Sequence, residues 1–339
     1  MIQGNDFGRI LRKLTASKNL TNEEAAASMS EIMSGNVTPC QVASFLTALK
    51  MKGESADEIT AFAKVMRQNA IKVSTALPVV DTCGTGGDGL GTFNVSTCSA
   101  FVAAGAGAPI AKHGNRKASG ACGSSDVLEK LGVKVVQSSA EAEGQLSKFG
   151  ITFMFAPAFH PAMKNVASVR NELGFKTVFN VLGPLCNPAG AKRQVIGVYE
   201  KKMLSKVANA LVSLGTEKAF VVSSDTDEIS ISSKTSIIEV NGRSLKEYGV
   251  SPEGFGIKKS AIGLIKASNA DESAEKIIEV LSGKKGPARD IVLLNSGAAI
   301  YVSGLAASLG EGILLAAKSI DSGSAMKKLD ALKSFGGKP

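Results

Sequence analysis

The 339-residue chain contains no tryptophan and only three tyrosines. A broad aromatic docking face, or a surface on which nucleic-acid bases would stack, is therefore not written into it. Its five cysteines (Cys40, Cys83, Cys98, Cys122, Cys186) are an odd set with no Cys-x-x-Cys. That excludes a disulfide framework and a zinc site and points to a reducing, cytoplasmic setting. Residues 1–6 carry neither a basic n-region nor an apolar h-region, so no signal peptide is expected. The longest uncharged run, residues 89–111, is interrupted by Gly, Asn, Ser, Thr and Pro, which excludes a membrane span. The net charge is +9, yet the basic residues stand in doublets at most, such as Lys192-Arg193 and Lys327-Lys328. Without a basic tract the excess reads as a solvated surface, and neither a nucleic-acid nor a membrane partner is expected.

What is present is an ordinary soluble composition, 44% hydrophobic and 20% charged, with 36 glycines, about 11% against a usual ~7%. The length predicts about two domains. Residues 1–72 read as helices only. Thr21-Asn22-Glu23-Glu24 opens a helix with a cap and early acids, and Ala26, Met29, Ile32 and Met33 fall on one face. Thr38-Pro39 opens the next, with Val42, Phe45, Leu46 and Leu49 on a face, and Ser55-Ala56-Asp57-Glu58 caps a third. From about residue 77 the texture changes. Short β-branched runs at 78–81, 109–112, 133–136, 152–155, 194–199, 219–222 and 236–240 alternate with helical segments such as 126–131 and 202–214. That alternation predicts a mostly parallel sheet in an α/β domain, with ligands beyond the carboxyl ends of its strands.

The glycine-rich segments fall at such ends. The first strand runs into Gly84-Thr85-Gly86-Gly87-Asp88-Gly89-Leu90-Gly91-Thr92, five glycines in eight residues. Backbone N–H groups there are free to surround an anion with no side chains in the way. Asn94-Val95-Ser96-Thr97 follows as a polar helix start able to cap the helix and face a phosphate. Gly84-x-Gly86-x-x-Gly89 also matches a dinucleotide fingerprint, but no acidic residue stands between Asp88 and Asp126 to hold a ribose, and no Walker A sequence is present. A second strand ends in Lys112-His113-Gly114-Asn115-Arg116-Lys117-Ala118-Ser119-Gly120, three cations in six residues, before Gly123-Ser124-Ser125-Asp126 starts another helix. Two such segments on neighbouring strands make a cradle for a polyanion such as a diphosphate. Asp227-Glu228, paired carboxylates beyond a later strand, are hard oxygen ligands suited to Mg²⁺ beside a diphosphate.

These motifs, together with 155–163 (Phe-Ala-Pro-Ala-Phe-His-Pro-Ala-Met), Asn180-Val181-Leu182-Gly183-Pro184-Leu185, Asn187-Pro188 and Asp227-Glu228-Ile229-Ser230, resemble the anthranilate phosphoribosyltransferases over nearly the whole chain. The resemblance implies an α/β fold like that of the class II nucleoside phosphorylases. In it a small helical domain (1–72, completed by about 163–185) sits beside an α/β domain (73–339) with a mostly parallel central sheet. It implies transfer of phosphoribose from phosphoribosyl pyrophosphate to the amine of anthranilate in tryptophan biosynthesis, by a cytoplasmic homodimer using two Mg²⁺ ions. Carried over residue by residue, the donor is expected at Gly84, Gly87, Asp88, Thr92, Asn94, Val95, Ser96, Thr97, the segment Lys112, His113, Gly114, Asn115, Arg116, Lys117, Ala118, Ser119, Gly120, and Ser124. Anthranilate is expected at Gly84, Asn115 and Arg170, the metal at Ser96, Asp227 and Glu228, and Lys112, His113 and Arg170 are the expected catalytic residues. The chain departs from the family pattern at residues 223–226, Ser-Ser-Asp-Thr ahead of the carboxylate pair, and at Ser168 and Asn171 beside Arg170. A pyrimidine nucleoside phosphorylase would carry serine where Gly114 stands.

Overall fold

The computed structural model describes residues 7–86, 89–116 and 122–335. Each of the three capping sequences begins a helix. Thr21, Thr38 and Ser55 accept from the N–H groups of Glu24, Gln41 and Glu58, whose side chains reach back to the caps. These boxes satisfy the first-turn donors that a helix leaves unpaired. They start α2 (Asn22–Met33), α3 (Pro39–Lys52) and α4 (Ala56–Gln68), which come after a shorter α1 (Phe7–Thr15).

The remaining elements are β1 (Val80–Gly84), α5 (Val95–Gly105), β2 (Ile110–Gly114), α6 (Ser124–Lys130), α7 (Ser139–Phe149), β3 (Ile151–Phe155), α8 (Ala156–Phe159), α9 (Lys164–Leu173), α10 (Val178–Leu185), β4 (Arg193–Gly197), α11 (Leu204–Ser213), β5 (Lys218–Ser223), β6 (Thr235–Asn241), β7 (Ser244–Val250), α12 (Ala270–Leu281), α13 (Pro287–Ser303), α14 (Leu309–Asp321) and α15 (Ser324–Ser334). The seven strands form one sheet in the order β3-β2-β1-β4-β5-β6-β7, parallel through β5 and antiparallel beyond it.

Side chains alternate across that sheet and feed two cores. Val195, Phe220, Val222 and Ile237 face one side, where α5, α12 and α13 bring Phe101, Ile277 and Leu294. Ile196, Ala219, Val221, Ile238 and Val240 face the other, sharing a core with α11, with α1–α4, and with Val166, Val169, Phe179 and Leu182 of α9 and α10. The helical layer and the sheet are thus joined by one continuous apolar contact, with α9 and α10 seated among the N-terminal helices.

One strand expectation changes, and one strand is added. Residues 133–136 form a single bridge, Val136 to Met154, because Gly132 precedes them with φ of +77° and Ser138 already caps α7. Strand β7 was not legible as a core strand. It is an edge hairpin arm with most side chains exposed, joined to β6 by a two-residue turn at Gly242-Arg243.

Candidate active site

β1 and β4 end at Gly84 and Gly197, and the loop after β5 lies directly over both. A Cβ on Gly197 would stand 1.6 Å from the Asp227 carbonyl oxygen, and one on Gly84 2.4 Å from Asp227 Oδ2. Close approach of backbone and carboxylate therefore requires glycine at both positions. Gly86 N donates to Asp227 Oδ2 at 3.1 Å. Gly89 and Gly91 adopt φ of +73° and +66° with open space on the side where a Cβ would lie, so the loop presents backbone. Its far end is pinned to a segment the sequence did not single out: Ala267 N donates to Gly91 O at 2.8 Å and Phe93 N to Ile265 O at 2.9 Å.

The polar helix start is real but differently wired than expected. Asn94 is the N-cap of α5 yet makes no side-chain cap bond. Its Oδ1 accepts from Ser273 at 2.8 Å and its Nδ2 donates to Cys122 O at 3.3 Å. The first turn of α5 thus keeps uncapped N–H donors and the positive end of its dipole for a ligand.

At the end of β2, Lys112 is almost fully buried, and its ammonium donates to Thr82 O and to Ser96 Oγ, the latter at 3.2 Å. Behind it lies Asp81, wholly buried, with Oδ1 accepting from His113 N at 3.2 Å and Oδ2 from Asn187 Nδ2 at 2.7 Å. Burial pushes this carboxyl up to about 6, against the opposing pull of the Lys112 charge. The His113 ring lies tilted by 48° against His160 with centroids 5.0 Å apart, and its Nε2 is buried without a partner among the described residues. Burial, with His160 and Lys112 nearby, pushes it down to about 3, so the ring is neutral. Arg116, expected on the donor, points its guanidinium at Glu129 and lies 3.6 Å from Asp126.

The atypical Ser223–Thr226 stretch turns out of β5 on its own hydroxyls, with Asp225 accepting from Ser233 Oγ at 2.8 Å. Ser224 Oγ donates to Glu228 O at 2.9 Å, and Glu228 N donates to Thr226 Oγ1 at 3.1 Å. Buried Asn295 on α13 clamps both backbone groups of Ile229, at 2.9 and 3.0 Å. Side-chain hydroxyls and an amide fix the carboxylate pair where glycines would otherwise set the turn. Opposite, α9 presents Arg170 with its guanidinium 5.3 Å from the Phe179 ring of α10. Burial lowers its pKa from the ordinary guanidinium value.

The ends of β1 and β2, the start of α5, the carboxylate pair and Arg170 face one cavity of about 580 Å³, a size suited to small-molecule substrates. Of the expected donor residues, Gly84, Thr92, Asn94, Val95 and Ser96 line it from the β1 side and Lys112, His113, Gly114, Asn115, Arg116 and Ser124 from the β2 side. Arg170, Asp227 and Glu228 complete it. The Thr97 side chain does not line it, being fully buried with its hydroxyl unpartnered among the described residues. Gly87, Asp88, Lys117, Ala118, Ser119 and Gly120 lie outside the described residues. Sequence reasoning assigned no role to Met66, His160, Phe179 and Asn180, which also line the cavity; three of them sit in or beside motifs already noted, and Met66, on an apolar helix face, gave no signal.

Residues 76–326 match the glycosyl transferase family, a/b domain, and residues 9–70 the glycosyl transferase family, helical bundle domain. An anthranilate phosphoribosyltransferase of Nitrosomonas eutropha is 48% identical over 330 residues, 96% of this chain and 97% of that one. The crystal structure of the enzyme of that name from Thermus thermophilus superposes with a TM-score of 0.89 at 40% identity, covering 96% of this chain and 98% of that one. The Saccharomyces cerevisiae enzyme, solved with PRPP and Mg, gives a TM-score of 0.89 at 29% identity, with 98% of each chain covered. Solved with 4-fluoroanthranilate, it gives 0.88 at the same identity and coverage.

Proposed function

The chain belongs to the anthranilate phosphoribosyltransferases of the glycosyl transferase family, and on that footing we infer how its own residues carry the reaction. It transfers the phosphoribosyl group of phosphoribosyl pyrophosphate to the amine of anthranilate, releasing pyrophosphate, a step of tryptophan biosynthesis. One observation carries the assignment of roles: a single cavity joins an uncapped helix start and a buried lysine, a pair of carboxylates, and an arginine set over the Phe179 ring.

The diphosphate belongs on the glycine loop, the start of α5 and Lys112, with Asn115 and Ser124 closing the far side; the remaining expected donor residues, outside the described ones, stay part of this assignment. Among the described residues no three His, Cys, Asp or Glu side chains form a metal cage. Asp227, Glu228 and the Ser96 hydroxyl are hard oxygen donors that leave most of a shell to phosphate oxygens and water, which is what Mg²⁺ prefers. We assign two Mg²⁺ ions to these three residues and the diphosphate. When bound, Mg²⁺ offsets the charge that builds on departing pyrophosphate.

Arg170 takes the anthranilate carboxylate through its fork and aims the amine at the ribosyl carbon. As the bond to pyrophosphate lengthens, positive charge spreads over the ribose ring, and the neutral amine adds to it. No side-chain nucleophile is required. The proton that the amine sheds passes to a pyrophosphate oxygen or to water, while His113, neutral and buried, shapes the pocket. A serine at Gly114, as in a nucleoside phosphorylase, would bring its Cβ within 2.2 Å of Ser124 Oγ, which favours the anthranilate reading.

The helical unit is residues 1–72 completed by 163–185, supported by the shared core of α1–α4, α9 and α10. Free cysteines, and the absence among the described residues of any helix long and apolar enough to cross a membrane, support a cytoplasmic protein. A homodimer rests on the family resemblance and is tested by sedimentation. The decisive assay follows anthranilate fluorescence with purified protein. Its loss is expected only when phosphoribosyl pyrophosphate and Mg²⁺ are both present, and no loss with both overturns the assignment.

A further inference from the structure

β1 makes five register pairs with β4, from Val80–Arg193 to Gly84–Gly197, and β2 makes five with β3. Between β1 and β2 the pairing stops after Val80–Ile110. Beyond that pair no register pair joins the two strands, and Lys112 and Gly84 near their ends line the cavity. Backbone groups that a parallel ladder would pair are taken instead by side chains. His113 N donates to Asp81 Oδ1 at 3.2 Å, Asn187 Nδ2 donates both to Asp81 Oδ2 and to Ala111 O at 2.7 Å each, and the Lys112 ammonium crosses to Thr82 O. Asn187 is itself anchored, its Oδ1 accepting from Ala189 N at 2.9 Å.

We propose that Asp81, held by Asn187, is a positioning residue for the transfer reaction: it sets the width of the gap between β1 and β2 and so fixes Lys112 against Ser96 at the diphosphate site. Asp81 does not line the cavity and touches no substrate; it acts through the segment that does. A carboxylate is suited to this place because it accepts from two donors on different elements at once and attracts the ammonium spanning the same gap. An apolar residue would leave His113 N and Asn187 Nδ2 without acceptors, and a ladder continued to the strand ends would close the gap that admits Lys112.

The kinetic readout rests on the phosphoribosyl transfer reading, so wild-type turnover of anthranilate is established first; its absence would count against that reading alone. The test is a double-mutant cycle of Asp81→Asn with Lys112→Met, following both substrates and the thermal midpoint. Asp81→Asn is expected to lower kcat/KM for phosphoribosyl pyrophosphate by about tenfold or more, with the anthranilate KM within about twofold and a retained cooperative melt. In the Lys112→Met background the same change is expected to cost less than about twofold, because the residue it positions is gone. A merely structural residue would depress both substrates alike and cost as much in either background, and that result overturns the proposal. So does an Asp81→Asn enzyme indistinguishable from wild type. Should Asp81→Asn fail to fold, Asn187→Ser decides by the same cycle: it leaves the carboxylate and removes one of its donors, with a smaller effect confined to the pyrophosphate substrate, and an additive effect rejects the idea.

Discussion

β1 has two neighbours in the sheet and is joined to them in different ways. Toward β4 the backbone ladder runs to the last residue, and the carboxylate loop rests on the paired glycines at its end. Toward β2 the ladder stops at its first rung, and side chains span the rest of the gap. The closed seam is a rigid floor, built by the absence of side chains at Gly84 and Gly197. The open seam is a slot, built by buried polar side chains whose bonds must all be met, since each unmet one costs about 1–3 kcal/mol. A parallel sheet thus provides both parts of a diphosphate site from one strand. The carboxylates sit where the sheet is tight, and the cation reaches through where it is loose.

The closed seam should break first and hardest. At Gly197 an added methyl would stand 1.6 Å from the Asp227 carbonyl oxygen, which is backbone and cannot swing aside, so the whole 227–228 loop must lift. Gly197→Ala is expected to lower kcat by about 10²-fold or more, since a displacement near 1 Å is enough for that loss, and to cost about 1–3 kcal/mol in urea unfolding. Gly84→Ala should be milder, because it meets the end of the Asp227 side chain. Equal and small effects from both would show that the loop does not depend on the closed seam. Titration of Mg²⁺ against turnover should place the defect in apparent metal affinity.

These glycines also mark how far sequence reasoning reaches. The glycine loop, the Lys112–Arg116 segment and the Asp227-Glu228 pair were legible because each concentrates unusual residues within a few positions. The helix caps at Thr21, Thr38 and Ser55 were legible for the same local reason. What could not be read was distance across the fold. Nothing near Asn187 says that it bonds Asp81, and nothing near Asn295 says that it clamps Ile229, because those contacts are set by topology. The Thr97 side chain departs for a related reason: its motif is polar throughout, but on a helix a residue one step past Ser96 turns some 100° away and into the core, which leaves only its backbone in the first turn of α5. Residues 133–136 have strand composition, yet the glycine before and the cap after leave room for one bridge only.

Arg170 belongs to neither seam; α9 brings it from the helical layer across the cavity. The comparison therefore predicts a clean separation of substrates. Arg170→Ala should raise the anthranilate KM roughly ten- to a hundredfold, the loss of a charge-assisted contact of about 1.5–3 kcal/mol, while the pyrophosphate substrate is bound as before. Lysine should restore only part, having the charge without the fork. A parallel rise in both KM values would mean that the helical layer sets the seams too, and that donor and acceptor sites are not separable.

The smallest effect is expected at His113, which stands on the slot side of β2 yet is used there through its backbone. Its N–H is the group that Asp81 holds, whereas its ring lies against His160 at the cavity wall. Burial takes the imidazole from its ordinary 6.5 down to about 3, so it stays neutral wherever the enzyme is assayed. His113→Gln keeps the N–H and should leave kcat within about threefold, with the pH profile of kcat between 6 and 8 unmoved. Stability should show what activity does not. Above pH 6.5 the ring is neutral both folded and unfolded, and contributes no pH dependence. Below it the unfolded chain takes up a proton that the folded chain refuses, so wild-type stability falls by about 1.4 kcal/mol per pH unit on this account until the folded value near 3 is reached. The glutamine variant lacks that slope. Its stability relative to wild type should therefore rise as pH is lowered from 7 to 5 in paired urea melts, with the His160 contribution common to both. An activity limb near pH 6.5 that is present in wild type and missing in His113→Gln would instead make the ring a proton acceptor, and the slot would then be chemical as well as positional.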